Sequence, residues 1–168
     1  PLTGWTIDIP HSVEREKTVR KLRKAEQPRL VLDTCQRLEV NGRTEDDVPG
    51  AEPRWRSAEA FERLARIAAG LESRLLGELE VLGQVRQAYK TFRVAGTTSD
   101  RQLDSLFQDA LRLARKARRA SGIDRQLTSL SGLAGREILA RVQPGDPIAV
   151  LGSGSLASAV LRYLAKRN

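Results

Sequence analysis

Cys35 is the only cysteine of the chain, and it sits in the run Leu30-Val31-Leu32-Asp33-Thr34-Cys35-Gln36-Arg37-Leu38-Glu39-Val40. An apolar run enters a polar, charged corner and returns to apolar-polar alternation, so the segment reads as strand, turn and strand with the thiol at the turn. Arg37, two residues on, supplies positive charge that favours thiolate, the form that attacks a carbonyl carbon. A small buried thiol packed as a hydrophobe fits the same local sequence. The residues around Cys35 leave both open.

A second constellation is Gly152-Ser153-Gly154-Ser155-Leu156-Ala157, which follows the apolar run Ile148–Leu151 and opens a helical pattern. That is the context of a dinucleotide fingerprint, with Ala157 at its third glycine position. Gly152 would make the tight turn, and Gly154 would let backbone approach a pyrophosphate held at the helix N-terminus. Any strand-to-helix turn favours glycine, so the motif alone is weak. The sequence stops at Asn168 before a second strand, so the expectation is only the opening of such a fold, without the residue that reads the ribose. A third feature is the crowding of Arg112, Arg115, Lys116, Arg118 and Arg119 on one helix, of which 112, 115, 116 and 119 share a face. Such a stripe is either a solvated face or a surface for phosphate, carboxylate or cofactor.

The elements that must position these groups follow from periodicity and punctuation. Trp5–Ile9 alternates and ends at Pro10. Ser12 can cap a helix over Val13–Lys24, with Glu14 and Glu16 near its N-terminus. Strands are expected over Arg29–Asp33 and Leu38–Val40, and Asn41–Pro53 reads as a polar loop. Ser57 is placed to cap a helix over Ala58–Ala69 that Gly70 terminates. A helix over Glu78–Val94 should present Leu79, Leu82, Val85, Tyr89 and Phe92 as its buried stripe. The next helix starts at Ser99 or Asp100, stops at Ser121-Gly122, and buries Leu103, Leu106, Phe107, Ala110, Leu111 and Ala114. Ser129 or Ser131 opens another helix to Val142. Pro144-Gly145-Asp146-Pro147 marks a domain boundary, so residues 1–143 form one domain and 144–168 the start of a second. Ile148–Leu151 is expected as a short buried strand and Leu156–Lys166 as a helix. The fold class is α+β: a helix-rich N-terminal domain with a small sheet, then the first strand-turn-helix of a Rossmann-like unit.

Composition narrows the function. The chain has 168 residues, 40% hydrophobic, with a formal net charge of +8 and an isoelectric point near 10.4. The hydrophobic share argues against disorder, and no apolar run reaches bilayer-spanning length. The basic balance suits a polyanionic partner, since phosphate neutralisation releases counterions, though an Arg-rich solvated surface gives the same balance. One cysteine excludes an internal disulfide, and one cysteine with one histidine argues against a protein-only zinc site, so no metal is expected. The N-terminus lacks a secretory pattern, and the cytoplasm is the expected location.

The segment Asp33-Thr34-Cys35-Gln36-Arg37-Leu38-Glu39-Val40 resembles the Thr-Cys-Asn-Arg-x-Glu segment of the glutamyl-tRNA reductases, and the resemblance recurs in order along the chain. Gly70-Leu71-Glu72-Ser73 with Leu76-Gly77-Glu78, then Val81-Leu82-Gly83-Gln84-Val85-Arg86-Gln87-Ala88-Tyr89, is similar to that family's Gly-Leu-Glu-Ser…Leu-Gly-Glu…Ile-Leu-Gly-Gln-Val-Lys-x-Ala-Tyr signature. Leu106–Leu111 with Arg115–Arg118 looks like its following basic helix, and Val150–Ala157 falls where its NADPH domain begins. The resemblance implies an enzyme that reduces the glutamyl ester of tRNA(Glu) to glutamate-1-semialdehyde, the first step of five-carbon tetrapyrrole synthesis. Cys35 would be the nucleophile and form a thioester. Thr34, Arg37, Ser73, Glu78 and Gln84 would bind substrate. Gly152, Gly154 and Ala157 would bind NADPH, and Arg112, Arg115, Lys116 and Arg119 would meet tRNA. It further implies a homodimer for the full-length protein, a monomer for this stretch, and the downstream aminomutase as a partner.

The sequence departs from the family in places. Gln36 replaces the Asn after the nucleophile, and Arg63 stands where the family has a histidine. His11 is the only histidine, and its surroundings match the family's N-terminal histidine segment poorly. Two other functions therefore remain open: a non-catalytic or specialised tRNA-binding paralogue, and an unrelated dinucleotide-dependent oxidoreductase.

Overall fold

The computed structural model describes residues 1–9, 13–25, 27, 29–34, 37–43, 48, 51–94, 100–123 and 129–167. Cys35, Gln36, His11, Ser12 and Ser99 lie outside the described residues. Four strands, β1 (Leu2–Ile7), β2 (Leu30–Asp33), β3 (Leu38–Arg43) and β4 (Glu52–Arg56), form one sheet in the order β2-β3-β1-β4. All three pairings are antiparallel, with Trp5 and Val31 both opposite Val40.

Alternation decides what each face of the sheet meets, because successive side chains point to opposite sides. Trp5, Ile7, Val31, Leu38 and Val40 pack on Val19 and Leu22 of helix α1 (Val13–Arg23). Leu2, Leu30 and Leu32 face the other way. There they join the apolar stripes of α2 (Ala58–Ala69), α3 (Leu79–Val94) and α4 (Arg101–Ser121), centred on Leu64, Ile67, Val85 and Phe107. Phe107 is fully buried and sits edge-on to Phe92 at 4.9 Å, so its truncation to alanine costs about 3–5 kcal/mol.

Helix ends obey local chemistry. The Asp100 side chain accepts from the Leu103 N–H at the start of α4, and Gly122 ends it in the left-handed region. Gly70 ends α2 the same way. Ser129 accepts from the Gly132 N–H to open α5 (Leu130–Leu139). Helix α6 (Ser155–Ala165) packs against α5 with the Tyr163 ring seated over Gly135.

Several expectations are corrected. The loop expected over Asn41–Pro53 contains three more residues of β3 and the start of β4. Pro53 can lie in β4 because that strand is at the sheet edge, where a missing N–H costs nothing in the ladder. Ser57 makes no side-chain cap: it adopts φ 50°, and its N–H donates to the Leu2 carbonyl at 2.7 Å, turning β4 into α2. On α3 the buried residues are Val81, Val85, Ala88 and Phe92, whereas Leu79 is exposed and Leu82 and Tyr89 are half-buried. The helix is rotated from the expected stripe because it is shared between β2, α2 and α4. Ile148–Leu151 is neither a strand nor buried, and Leu151 is 97% exposed. A strand needs a neighbour for its backbone hydrogen bonds, and no described strand lies beside this one. Of the strand, turn and helix expected over residues 148–166, the strand is missing and the helix is formed, as α6.

Candidate active site

The ends of β2 and β3 are tied across the corner that carries residue 35. The Thr34 N–H donates to the Arg37 carbonyl at 2.9 Å, and the Arg37 N–H donates to Thr34 Oγ1 at 3.1 Å. A second layer of bonds comes from Arg15 on α1, which is 6% exposed. Its Nη2 donates to Asp33 Oδ1, the Thr34 carbonyl and the Arg37 carbonyl, each at 2.8 Å. Its Nη1 reaches the Ile9 carbonyl at 3.1 Å. Both flanks of the Cys35 corner are therefore pinned by one buried guanidinium.

The Arg37 side chain spans to the segment between α2 and α3, where its Nη2 donates to the Glu72 carbonyl. Its Nη1 is buried without a hydrogen-bond acceptor, 3.8 Å from Glu39 Oε1. Glu39 is 2% exposed and accepts from Arg63 Nη2 at 2.9 Å. Arg63 also donates to Glu72 at 3.0 Å and lies over the Trp55 ring at 4.0 Å. Glu72 takes a further bond from Arg66 Nε at 2.7 Å. That bond holds the Glu72 carboxyl below its usual range; burial opposes it, and the Arg63 charge assists. The result is a cationic cluster of Arg37, Arg63 and Arg66 around two carboxylates, with a spare donor on Arg37.

The 70–78 segment, which carries Ser73 and Glu78, is held from behind by Arg118. That residue is 1% exposed, and it donates to the Ala69 carbonyl at 2.8 Å and the Gly77 carbonyl at 3.1 Å. Gly70 and Gly77 both have positive φ, and a side chain at Gly77 would collide with Ile123. The chain can make this turn only with glycine there.

The structure brings Thr34 and Arg37 into one corner and connects Arg37 to the residue preceding Ser73. Ser73, Glu78 and Gln84 are half-buried, and among the described residues no hydrogen bond links Ser73 or Gln84 to Arg37. Arg112, Arg115, Lys116 and Arg119 share an exposed concavity on α4. Gly152 and Gly154 stand open, with no atom near enough to touch a side chain placed there. A separate concavity of about 370 Å³, lined by Arg43, Asp100 and Leu106 among others, contains none of the sequence-predicted site residues.

The inward placement of Arg15 and Arg118 was not anticipated. The signal was present: Arg15 falls four residues before Val19, and Arg118 four after Ala114, each on an otherwise apolar stripe. A charged residue in that register is buried only when something accepts its hydrogen bonds.

Residues 9–121 match the family model described as "Glutamyl-tRNAGlu reductase, N-terminal domain". The chain is 34% identical over 153 residues to glutamyl-tRNA reductase 2 of Pyrobaculum arsenaticum, covering 83% of this chain and 38% of that protein. It is 35% identical over 150 residues to a glutamyl-tRNA reductase of Thermus thermophilus, covering 80% and 38%. Its structure is similar to that of glutamyl-tRNA reductase from Methanopyrus kandleri, with TM-score 0.66 and 29% identity, over 99% of this chain and 47% of that one. The chain thus spans less than half the length of these proteins.

Proposed function

Because the chain belongs to the glutamyl-tRNA reductase N-terminal domain family, we propose that it is the substrate-activating part of an enzyme that reduces glutamyl-tRNA(Glu) in tetrapyrrole synthesis. The observation that carries this is Arg37 at the corner of the sole thiol, its Nη1 lacking a hydrogen-bond acceptor among the described residues and meeting Glu39 only at 3.8 Å. An arginine fork with an incompletely satisfied donor is suited to a carboxylate, which the glutamyl group supplies.

In this scheme the Cys35 thiolate attacks the ester carbonyl carbon. The carbon–sulfur bond forms, the ester carbon–oxygen bond breaks, and the tRNA 3′ oxygen leaves with a proton. Arg37 orients the glutamyl carboxylate and keeps positive charge near the thiolate. Thr34, Ser73, Glu78 and Gln84 line the rest of the glutamyl pocket. Arg112, Arg115, Lys116 and Arg119 meet tRNA phosphates.

NADPH, when bound, supplies the hydride that turns the thioester into glutamate-1-semialdehyde. The open turn at Gly152, with φ 117°, and the uncapped N-terminus of α6 fit a pyrophosphate, so Gly152, Gly154 and Ala157 would hold it. Residues 144–168 would then begin the NADPH unit. We place the protein in the cytoplasm as a homodimer at full length and a monomer over this stretch, passing its aldehyde to the aminomutase. No described helix is long and apolar enough to cross a membrane.

One observation favours a second function, binding without turnover. Arg63, at the place of the family's histidine, is committed to Glu39 and Glu72. A guanidinium does not exchange a proton near neutral pH. Incubation with glutamyl-tRNA separates the possibilities. The enzyme consumes the ester, the binding paralogue protects it, and an oxidoreductase of another substrate ignores tRNA.

A further inference from the structure

Helices α3 and α4 lie side by side, joined by a hydrogen bond from Tyr89 Oη to Asp104 at 2.7 Å and by the Phe92–Phe107 contact. On the solvent side of this seam runs a furrow of about 420 Å³ lined by both helices. From α3 it takes Arg86, Lys90 and Arg93, which recur at the spacing of one helix face. From α4 it takes Arg112 and Arg115, and these two also line the adjoining concavity that contains Lys116 and Arg119. Arg112 and Arg115 are therefore one wall of a two-helix furrow that adjoins the concavity of Lys116 and Arg119.

Charge in the furrow is only partly compensated. Arg93 lies 3.7 Å from Asp104, and Arg112 pairs with Asp109. Among the described residues, Arg86, Lys90, Arg115, Lys116 and Arg119 meet no carboxylate. Each row runs over eight residues, about 10 Å of helix. Like charges this dense repel one another and destabilise the folded chain, so the furrow opposes folding unless an anion fills it.

We propose that the α3–α4 furrow tracks the phosphate backbone of RNA, with Arg86 and Lys90 of α3 contacting phosphates opposite Arg115 of α4 and Lys116 of the adjoining concavity. This rests on the proposal that the chain takes glutamyl-tRNA, and it assigns a second wall to that contact. A concave, arginine-rich channel matches a ribbon of phosphates, which guanidinium forks bind in pairs. A membrane surface would instead call for apolar side chains beside the cations, and Leu111, the one aliphatic residue of the furrow, is buried. Helix α4 carries furrow cations outward and Arg118 inward onto the carbonyls of Ala69 and Gly77. One rigid element thereby registers the phosphates against the 70–78 segment.

The test is the salt dependence of binding an uncharged tRNA(Glu) transcript by the chain, by Arg86→Gln/Lys90→Gln and by Arg115→Gln/Lys116→Gln. Unchanged melting temperatures report intact folds. Each pair should lower the log–log salt slope by about 1.4–1.8 and weaken binding at low salt by about tenfold or more. A wild-type slope in the α3 variant, with a lowered slope in the α4 variant, overturns the furrow and leaves the tRNA proposal standing. Weaker binding at an unchanged slope overturns it too, since no phosphate contact was lost. If the unaltered chain binds tRNA without salt dependence, or binds polyglutamate more tightly than tRNA, the underlying tRNA proposal fails with it.

Discussion

Replacing Arg15 by methionine, which keeps the length and apolar stem but removes every donor, should loosen the corner that carries Cys35. The guanidinium makes close bonds to Asp33 and to the carbonyls of Thr34, Arg37 and Ile9. The Arg37 carbonyl keeps its bond from the Thr34 N–H, so the main losses are the bonds to the Thr34 and Ile9 carbonyls and to the Asp33 carboxylate. Bonds made by a charged group are worth about 1.5–3 kcal/mol each. Returning a buried guanidinium to water offsets part of this, leaving a net loss of about 2–4 kcal/mol. At roughly 2–4 °C per kcal/mol for a chain of this size, the melting temperature should drop by about 5–15 °C. Arg15→Lys should lose about half as much, because an ammonium reaches Asp33 but lacks the fork that spans the corner. The assays are thermal melting and the pH dependence of iodoacetamide alkylation, which reports on Cys35 alone as the sole thiol. In the methionine variant the alkylation midpoint should differ from that of the original chain, because Arg15 no longer fixes the Thr34 and Arg37 carbonyls on either side of the thiol. A variant that melts like the original chain and alkylates with the same midpoint would refute the clamp.

Further outcomes follow from the cluster behind the corner. Glu72 is held below its usual range chiefly by Arg66, so its stabilising contribution is present above the ordinary glutamate value and lost as pH falls through the lower folded value. Melting profiles of the chain and of Glu72→Gln should therefore differ near neutral pH and converge in acid; a gap that widens in acid reverses the sign and contradicts the assignment. Arg63→His should free Glu39 and Glu72 of a fixed charge and introduce a proton-exchanging group. Faster ester consumption is expected, and its absence would show that the position has no part in acyl transfer.

Much of the architecture was legible where one residue type has one local use. Gly70, Asp100, Gly122 and Ser129 each ended or opened a helix at the expected place, because left-handed glycine and side-chain caps act within a single turn. The corner between β2 and β3 was legible for the same reason. Strand β4 was not, since its backbone is held by pairing with β1, a residue range some fifty positions away, and Pro53 argues against a strand unless its edge position is known. The stripe of α3 was misjudged because burial there is set by three neighbours. At the site, the position of Arg37 at the β2–β3 corner followed from the strand-turn-strand pattern. Its connection to Glu72, and the partners of Arg63, come from tertiary packing. Arg15 and Arg118 were hidden by their type, as arginine usually marks an exposed face.

The most direct test of acyl transfer is the intact mass of the chain after quenching with glutamyl-tRNA, without NADPH, compared between the unaltered protein and Cys35→Ser. A glutamyl adduct on the unaltered chain, labile to hydroxylamine and missing from the serine variant, is the expected result. An adduct of equal yield in Cys35→Ser, or an ester consumed by both proteins at the same rate, would contradict the assignment of Cys35 as the nucleophile.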